Sequence, residues 1–172
     1  MAGAVMLGKH VLQQLRPFGF PLAGWSRSGA TLEGVEVFAG ESQLPEFLAR
    51  TDILICLLPL TDETRGILNS RLFRQLPRGA ALINVGRGAH LINADLLEAL
   101  DAEQLRAAVL DVCDPEPLPQ DHPFWRDPRI IITPHVASMT HPETAVERVL
   151  EVIAQHQAGM PLSGAIDRNK GY

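Results

Sequence analysis

The chain has 172 residues, 46% hydrophobic and 20% charged, which is enough for one domain with a real core and too little for two full-sized ones. A net charge of −5, with six Phe and two Trp that do not interleave with a basic patch, argues against nucleic-acid and anionic-membrane binding. No charged-then-apolar signal segment is present, and no apolar run nears the roughly 20 residues that span a bilayer, so a soluble, cytoplasmic protein is expected.

The chain opens on MAGAVMLGKHV. Gly3 and Gly8 hold the first and third places of a G-x-G-x-x-G turn, but Val5 stands where the middle glycine belongs. Two residues precede Gly3, too few for the buried strand that normally delivers such a turn. A helix is expected over residues 9–15. Strands are expected at 21–25, 35–38, 53–58, 80–85, 107–112 and 130–133. Several are apolar at nearly every position, as a parallel sheet covered on both faces requires. Helices are expected between them at 41–49, 70–76 and 94–100, with Asn93 capping the last. The best-marked helix is 142–157. Thr140 and Glu143 fit a capping box with Pro142 in the first turn; Leu150, Ile153 and Ala154 repeat at helical spacing, and Gly159 supplies the stop. A polar tail follows. Cys56 and Cys113, in or beside apolar runs, are expected as two buried, reduced thiols.

Short strands alternating with helices imply a doubly wound, Rossmann-type α/β parallel sheet with right-handed crossovers. The leading strand is expected to be missing. Arg27 lies 19 residues past Gly8, where the second strand ends and meets an adenosine ribose. An Asp or Glu there would bind the 2′-OH of NAD, whereas an Arg between Ser26 and Ser28 suits the 2′-phosphate of NADP. On these residues alone, an exposed Arg at a strand end is an equal reading. The histidines show no metal-ligand spacing, and no metal is expected.

Four motifs then occur in order: ILICLLPLTDETRGILN, LINVGRGAHL, AAVLDVCDPEPLP and RIIITPHVAS. With them the chain resembles the D-isomer-specific 2-hydroxyacid dehydrogenases, most of all the bacterial glyoxylate/hydroxypyruvate reductases of the A type, which its WSRS and GAIDRNKGY segments also resemble. The resemblance covers nearly the whole chain but matches the C-terminal portion of such an enzyme. It implies NADPH-dependent reduction of small 2-oxo acids, with NAD as the lesser cofactor candidate, in a homodimer.

The resemblance also assigns roles. Arg87 matches the substrate arginine, whose planar fork binds a carboxylate bidentately. His135 matches the general acid, and Glu116 the carboxylate that orients its ring and favours its protonated form. Asp111 matches the position that contacts the nicotinamide amide. The implied cofactor contacts are Gly3, Met6, Leu7, Gly8, Ser26, Arg27, Ser28, Leu58, Pro59, Val85, Gly86 and Asp111. Residues 1–158 are expected to form the NAD(P)-binding domain, and 159–172 a tail that would join a substrate domain. A chain of this extent is expected to hold the catalytic residues without turning over. The rival expectation is a non-catalytic remnant that self-associates or binds NADP.

Overall fold

Six short apolar runs and one dipeptide make seven strands: β1 (Ala2–Gly3), β2 (Ala23–Ser26), β3 (Glu36–Ala39), β4 (Ile53–Leu57), β5 (Ala80–Asn84), β6 (Leu105–Leu110) and β7 (Ile130–Ile132). In the computed structural model, which describes residues 2–3, 5–27, 29, 32–138, 142–162 and 165, they form one sheet in the order β3-β2-β1-β4-β5-β6-β7. All pairings are parallel. Parallel neighbours need crossovers, and helices supply four of the six: α1 (Val5–Leu15) between β1 and β2, α2 (Leu44–Ala49) between β3 and β4, α3 (Ser70–Phe73) between β4 and β5, and α4 (Asn93–Asp101) between β5 and β6, while β2–β3 and β6–β7 are joined without an α-helix among the described residues. The chain winds outward from β1 through β2 to β3, then crosses back to β4. The order therefore reverses at β1, and open α/β sheets bind ligands beyond the carboxyl ends of their strands at such a reversal.

Among the described residues the two faces of the sheet carry clusters of unequal size. Leu54 and Cys56 of β4 and Ala80 and Leu82 of β5 join a large cluster with Phe47, Phe73, Leu96 and Leu100. Phe47 and Phe73 are fully buried, and truncating either to Ala would cost about 3–5 kcal/mol. The alternate residues, Ile55, Leu57 and Val85, meet Leu12 of α1 in a much smaller cluster. α1 packs close to β2, where a Cβ at Gly24 would lie 3.4 Å from Leu12 Cδ1.

The structure departs from the sequence reading in several places. The first strand is present, but two residues long: Ala2 lies opposite Trp25 and Cys56, and Gly3 opposite Leu57. Ladder pairing needs backbone N–H and C=O groups, so a dipeptide with little strand propensity still seats between two formed strands. α1 begins at Val5, four residues before the expected start, which places Gly8 inside the helix. The expected helix at 41–49 opens as a 3-10 turn over Glu41–Gln43. α3 ends at Phe73 because the chain tightens into i→i+3 bonds (Gln75 N–H to Leu72 C=O, Leu76 N–H to Phe73 C=O) ahead of Pro77. Asn93 is not a cap: it is the first residue of α4, and its Nδ2 donates to Asp114 C=O at 3.3 Å.

The chain divides into two compact units, Met1–His135 and Val136–Tyr172. In the second, α5 (Pro142–Gln157) matches its expected bounds; the expected cap at Thr140 and His141 lies outside the described residues. Gly159, at φ +65°, ends the helix in a Schellman pair, with Gly159 N–H donating to His156 C=O and Met160 N–H to Gln155 C=O. Both thiols are free: Cys56 is buried in β4, whereas Cys113, past the end of β6, is half-buried rather than buried. Among the described residues no helix is long and apolar enough to cross a membrane.

Candidate active site

β5 ends at Asn84, and the loop beyond it carries Arg87. Asn84 is fully buried; its Oδ1 accepts from Gly86 N–H at 3.2 Å and its Nδ2 donates to Arg87 C=O at 3.1 Å. An asparagine can fold its amide back onto the following backbone, so it sets the path of this turn. The flanking glycines are required by close approach. A Cβ at Gly86 would lie 2.9 Å from His90 Nδ1 and 3.2 Å from Leu58 C=O, and one at Gly88 would lie 1.9 Å from Cys113 C=O. Arg87 is thereby pressed between the loops that follow β4 and β6. Its side chain is exposed, and Nη1 donates to Gly86 C=O at 2.7 Å.

His135 and Glu116 meet. Nδ1 of His135 lies 3.1 Å from Glu116 Oε1 and 3.3 Å from Oε2, in the loops after β7 and β6, and both side chains are part-exposed. His135 has φ +55°, a left-handed conformation uncommon outside glycine, and its N–H donates to Thr133 C=O at 3.0 Å. Such backbone persists where surroundings over-determine it, and it clusters at functional sites. Burial, followed by the Glu116 charge, pushes the nearby Cys113 thiol up. Asp111 is buried at the end of β6, where Thr133 Oγ1 donates to its Oδ1 at 2.5 Å, tying the ends of β6 and β7 together.

Leu58 and Pro59 follow β4. Pro59 C=O accepts from Thr64 Oγ1 at 2.7 Å and lies 3.2 Å from His90 Nε2. Val85 is half-buried, and its N–H donates to Cys56 C=O at 3.2 Å. On the other side of β1, Ser26 closes β2 and Arg27 follows, its Nη1 2.5 Å from Glu63 Oε2. The Ser26 hydroxyl is buried without a hydrogen-bond partner among the described residues. Ser28 lies outside the described residues. Gly3 is a strand residue opposite Leu57, while Met6, exposed Leu7 and buried Gly8 all belong to α1.

The sheet thus gathers Arg87, Asp111, Glu116 and His135 at the carboxyl edge of β5, β6 and β7, with Leu58 and Pro59 just past the end of neighbouring β4. Ser26 and Arg27 stand apart beyond β1. Asn84 and His90 escaped the sequence reading. An Asn closing an apolar strand two residues before Gly86 was the available signal for the first, and a polar side chain three residues past Arg87 for the second.

Residues 1–137 match the family model described as D-isomer specific 2-hydroxyacid dehydrogenase, NAD binding domain. The chain is 48% identical over 170 residues to the glyoxylate/hydroxypyruvate reductase A of Salmonella choleraesuis, an alignment covering 99% of this chain and 54% of that protein. It spans about half the length of the curated relatives it matches. A D-isomer specific 2-hydroxyacid dehydrogenase from Xanthobacter autotrophicus, solved with NADPH and MES, superposes with a TM-score of 0.95 at 42% identity, covering 99% of this chain and 71% of that one. The NADPH-dependent glyoxylate/hydroxypyruvate reductase of Sinorhizobium meliloti, solved with NADP and sulfate, gives 0.94 at 41% identity, covering 99% and 55%. By the family match and the site that β5, β6 and β7 assemble, the chain belongs to the D-isomer specific 2-hydroxyacid dehydrogenases.

Proposed function

We propose that this chain carries the cofactor-binding and catalytic portion of an NADPH-dependent reductase of small 2-oxo acids such as glyoxylate and hydroxypyruvate. The observation that carries the reading is the contact between His135 Nδ1 and the Glu116 carboxylate, beyond the ends of adjacent strands. The donor set fits a phosphorylated dinucleotide: a cation at the end of β2, beside a serine hydroxyl that has no partner among the described residues. When bound, the reduced nicotinamide supplies a hydride.

The chain's own groups supply the rest. Arg87 binds the substrate carboxylate with its fork and polarises the adjacent carbonyl. Glu116 accepts Nδ1–H of His135, which leaves Nε2 to deliver a proton to the carbonyl oxygen as negative charge develops there. Asp111, fixed by Thr133, would hold the nicotinamide amide. Leu58, Pro59, Val85 and Gly86 line the same edge, while Gly3, Met6, Leu7, Gly8, Ser26, Arg27 and Ser28 serve the phosphate and adenosine end.

On the same reading, residues 1–158 are the cofactor domain, and 159–172 lead toward a substrate domain. A homodimer is supported by α5, where Val146, Val149, Leu150 and Ile153 are exposed at helical spacing on one stripe. The test combines NADPH titration with NADPH oxidation in the presence of glyoxylate or hydroxypyruvate. Turnover by the chain, alone or preceded by a family-like N-terminal part, supports the proposal, and binding without turnover in both forms favours the non-catalytic rival. Absence of both overturns it.

A further inference from the structure

The His90 ring is fully buried between two loops of the candidate site. Arg87 N–H points at its Nδ1 across 3.0 Å, and Pro59 C=O faces its Nε2 at 3.2 Å. We infer that His90 is a positioning residue: a neutral imidazole, protonated at Nε2, that ties the Arg87 backbone to the Pro59 carbonyl and so sets the arginine's loop against the loop after β4.

The tautomer follows from the partners. An amide N–H can only donate, so Nδ1 must accept. A prolyl carbonyl can only accept, so Nε2 must carry the hydrogen. A second proton, at Nδ1, would turn toward Arg87 C=O, also at 3.0 Å, and leave the buried side of Arg87 N–H without its acceptor. The neighbouring charges are the guanidinium groups of Arg87 and Arg65. They disfavour a third cation, and together with burial, the larger cause, they hold the imidazole below the ordinary histidine range.

Three further observations give the ring its place. Gly86 is where a Cβ would collide with it, so the first glycine of the G-R-G run is the space that the imidazole fills. Asn84 Nδ2 holds the Arg87 carbonyl while His90 holds its N–H, which fixes both backbone groups of the arginine. The backbone on either side is stitched to the same neighbour: Gly66 N–H donates to Ala89 C=O and Leu68 N–H to His90 C=O, both at 2.9 Å. The ring is the innermost tie between the two loops. Its consequence for substrate rests on reading Arg87 as the carboxylate ligand; the geometry does not.

Long-range ¹⁵N–¹H spectra of the 172-residue chain read the tautomer directly. The expected result is Nε2–H with Nδ1 as acceptor, unchanged as pH falls through about 6.5. In parallel, Arg87 amide exchange is compared in His90→Gln, which keeps one acceptor and one donor, and His90→Leu, which keeps neither. Exchange should accelerate about tenfold in the Leu variant and much less in the Gln variant. Where the chain turns over glyoxylate, the Leu change should raise KM for the oxo acid by a larger factor than it weakens NADPH binding. An Nδ1–H tautomer, ordinary titration near 6.5, or unchanged Arg87 exchange in a folded Leu variant overturns the inference. The wild-type tautomer decides it even if His90→Leu does not fold. Failure of turnover even when the chain is preceded by a family-like N-terminal part, by contrast, counts against the proposed reaction and leaves the role of His90 to the spectra.

Discussion

Arg27 Nη1 lies 2.5 Å from Glu63 Oε2, and the pair joins the loop after β2 to the loop after β4. In the sheet β1 lies between those strands, so the ion pair spans the point where the strand order reverses. Both side chains are largely exposed, 44% and 69%, and an exposed pair of this kind contributes about 0.2–1 kcal/mol. A cofactor 2′-phosphate would therefore compete with Glu63 for Arg27 at little cost. Glu63→Gln should tighten NADPH binding by at most about fivefold and leave NADH binding unchanged. Arg27→Asp should shift preference toward NADH. Nicotinamide fluorescence titrations read both, and an unaltered NADPH/NADH ratio in Arg27→Asp would remove Arg27 from the phosphate site.

Gly88→Ala should destabilise the chain. Its Cβ would stand 1.9 Å from Cys113 C=O and 2.5 Å from Asp114 N, both backbone atoms with little freedom to move aside. Overpacking of this kind costs about 1–3 kcal/mol, visible as a lower urea midpoint. The same loops carry Arg87 and Glu116, so NADPH oxidation should fall more than stability does. A midpoint equal to wild type would show that the loops are looser than the contact implies.

The proposed roles separate in kinetics. His135→Asn tolerates left-handed backbone but has no acidic proton, so kcat should fall by about 10²–10⁴. Glu116→Gln keeps a hydrogen-bond acceptor for Nδ1–H and should be milder, with an altered pH profile. Arg87→Lys loses the bidentate fork and should act mainly on KM for the oxo acid. If His135→Asn retains wild-type kcat, another group is the proton donor.

Six of the seven strands were legible because each is an apolar run bounded by turn residues, and buried parallel strands need nothing subtler. β1 was not, since Ala2–Gly3 has no side-chain pattern and is held by its neighbours' ladders. The start of α1 was misplaced because Val5 and Met6 carry no cap signal, and Asn93 was read as a cap although its amide serves the Asp114 loop. Within the site, the motifs pointed to Arg87, Glu116 and His135. Asn84 and His90 act on backbone atoms through folded-back geometry, and the Arg27–Glu63 pair joins positions 36 apart in sequence. The long-range pair leaves no local pattern, and Asn84 and His90 leave only the weak signal of a polar residue beside Gly86 and Arg87.

Stability should fall on both sides of neutral pH for identifiable reasons. Burial pushes the Cys56 thiol from 9.0 up to about 11, so the folded state holds its proton longer than the unfolded state does. That contribution is fully present below about 9 and is lost as pH rises to about 11, at most about 2–3 kcal/mol. His90 is shifted the other way, below 6.5, chiefly by burial. Its contribution is complete above the ordinary value and declines as acid protonates the unfolded chain first. Urea midpoints across pH should show a flatter alkaline limb in Cys56→Ala and a flatter acid limb in His90→Gln. Parallel limbs in variant and wild type would assign the losses to other groups.

The two thiols differ in a way that makes the chain its own reporter. Cys56 sits inside β4 with no exposed surface, and its attacking form, the thiolate, is suppressed by the same burial. A maleimide or disulfide reagent can reach it only after the centre of the sheet has opened. Cys113 stands half-exposed beyond β6, beside the loop that presses on Gly88. Modification of Cys113 therefore times the breathing of the loops of the candidate site, and modification of Cys56 times the parting of the strands beneath them. The ratio of the two rates measures how far the site can loosen while its scaffold stays shut.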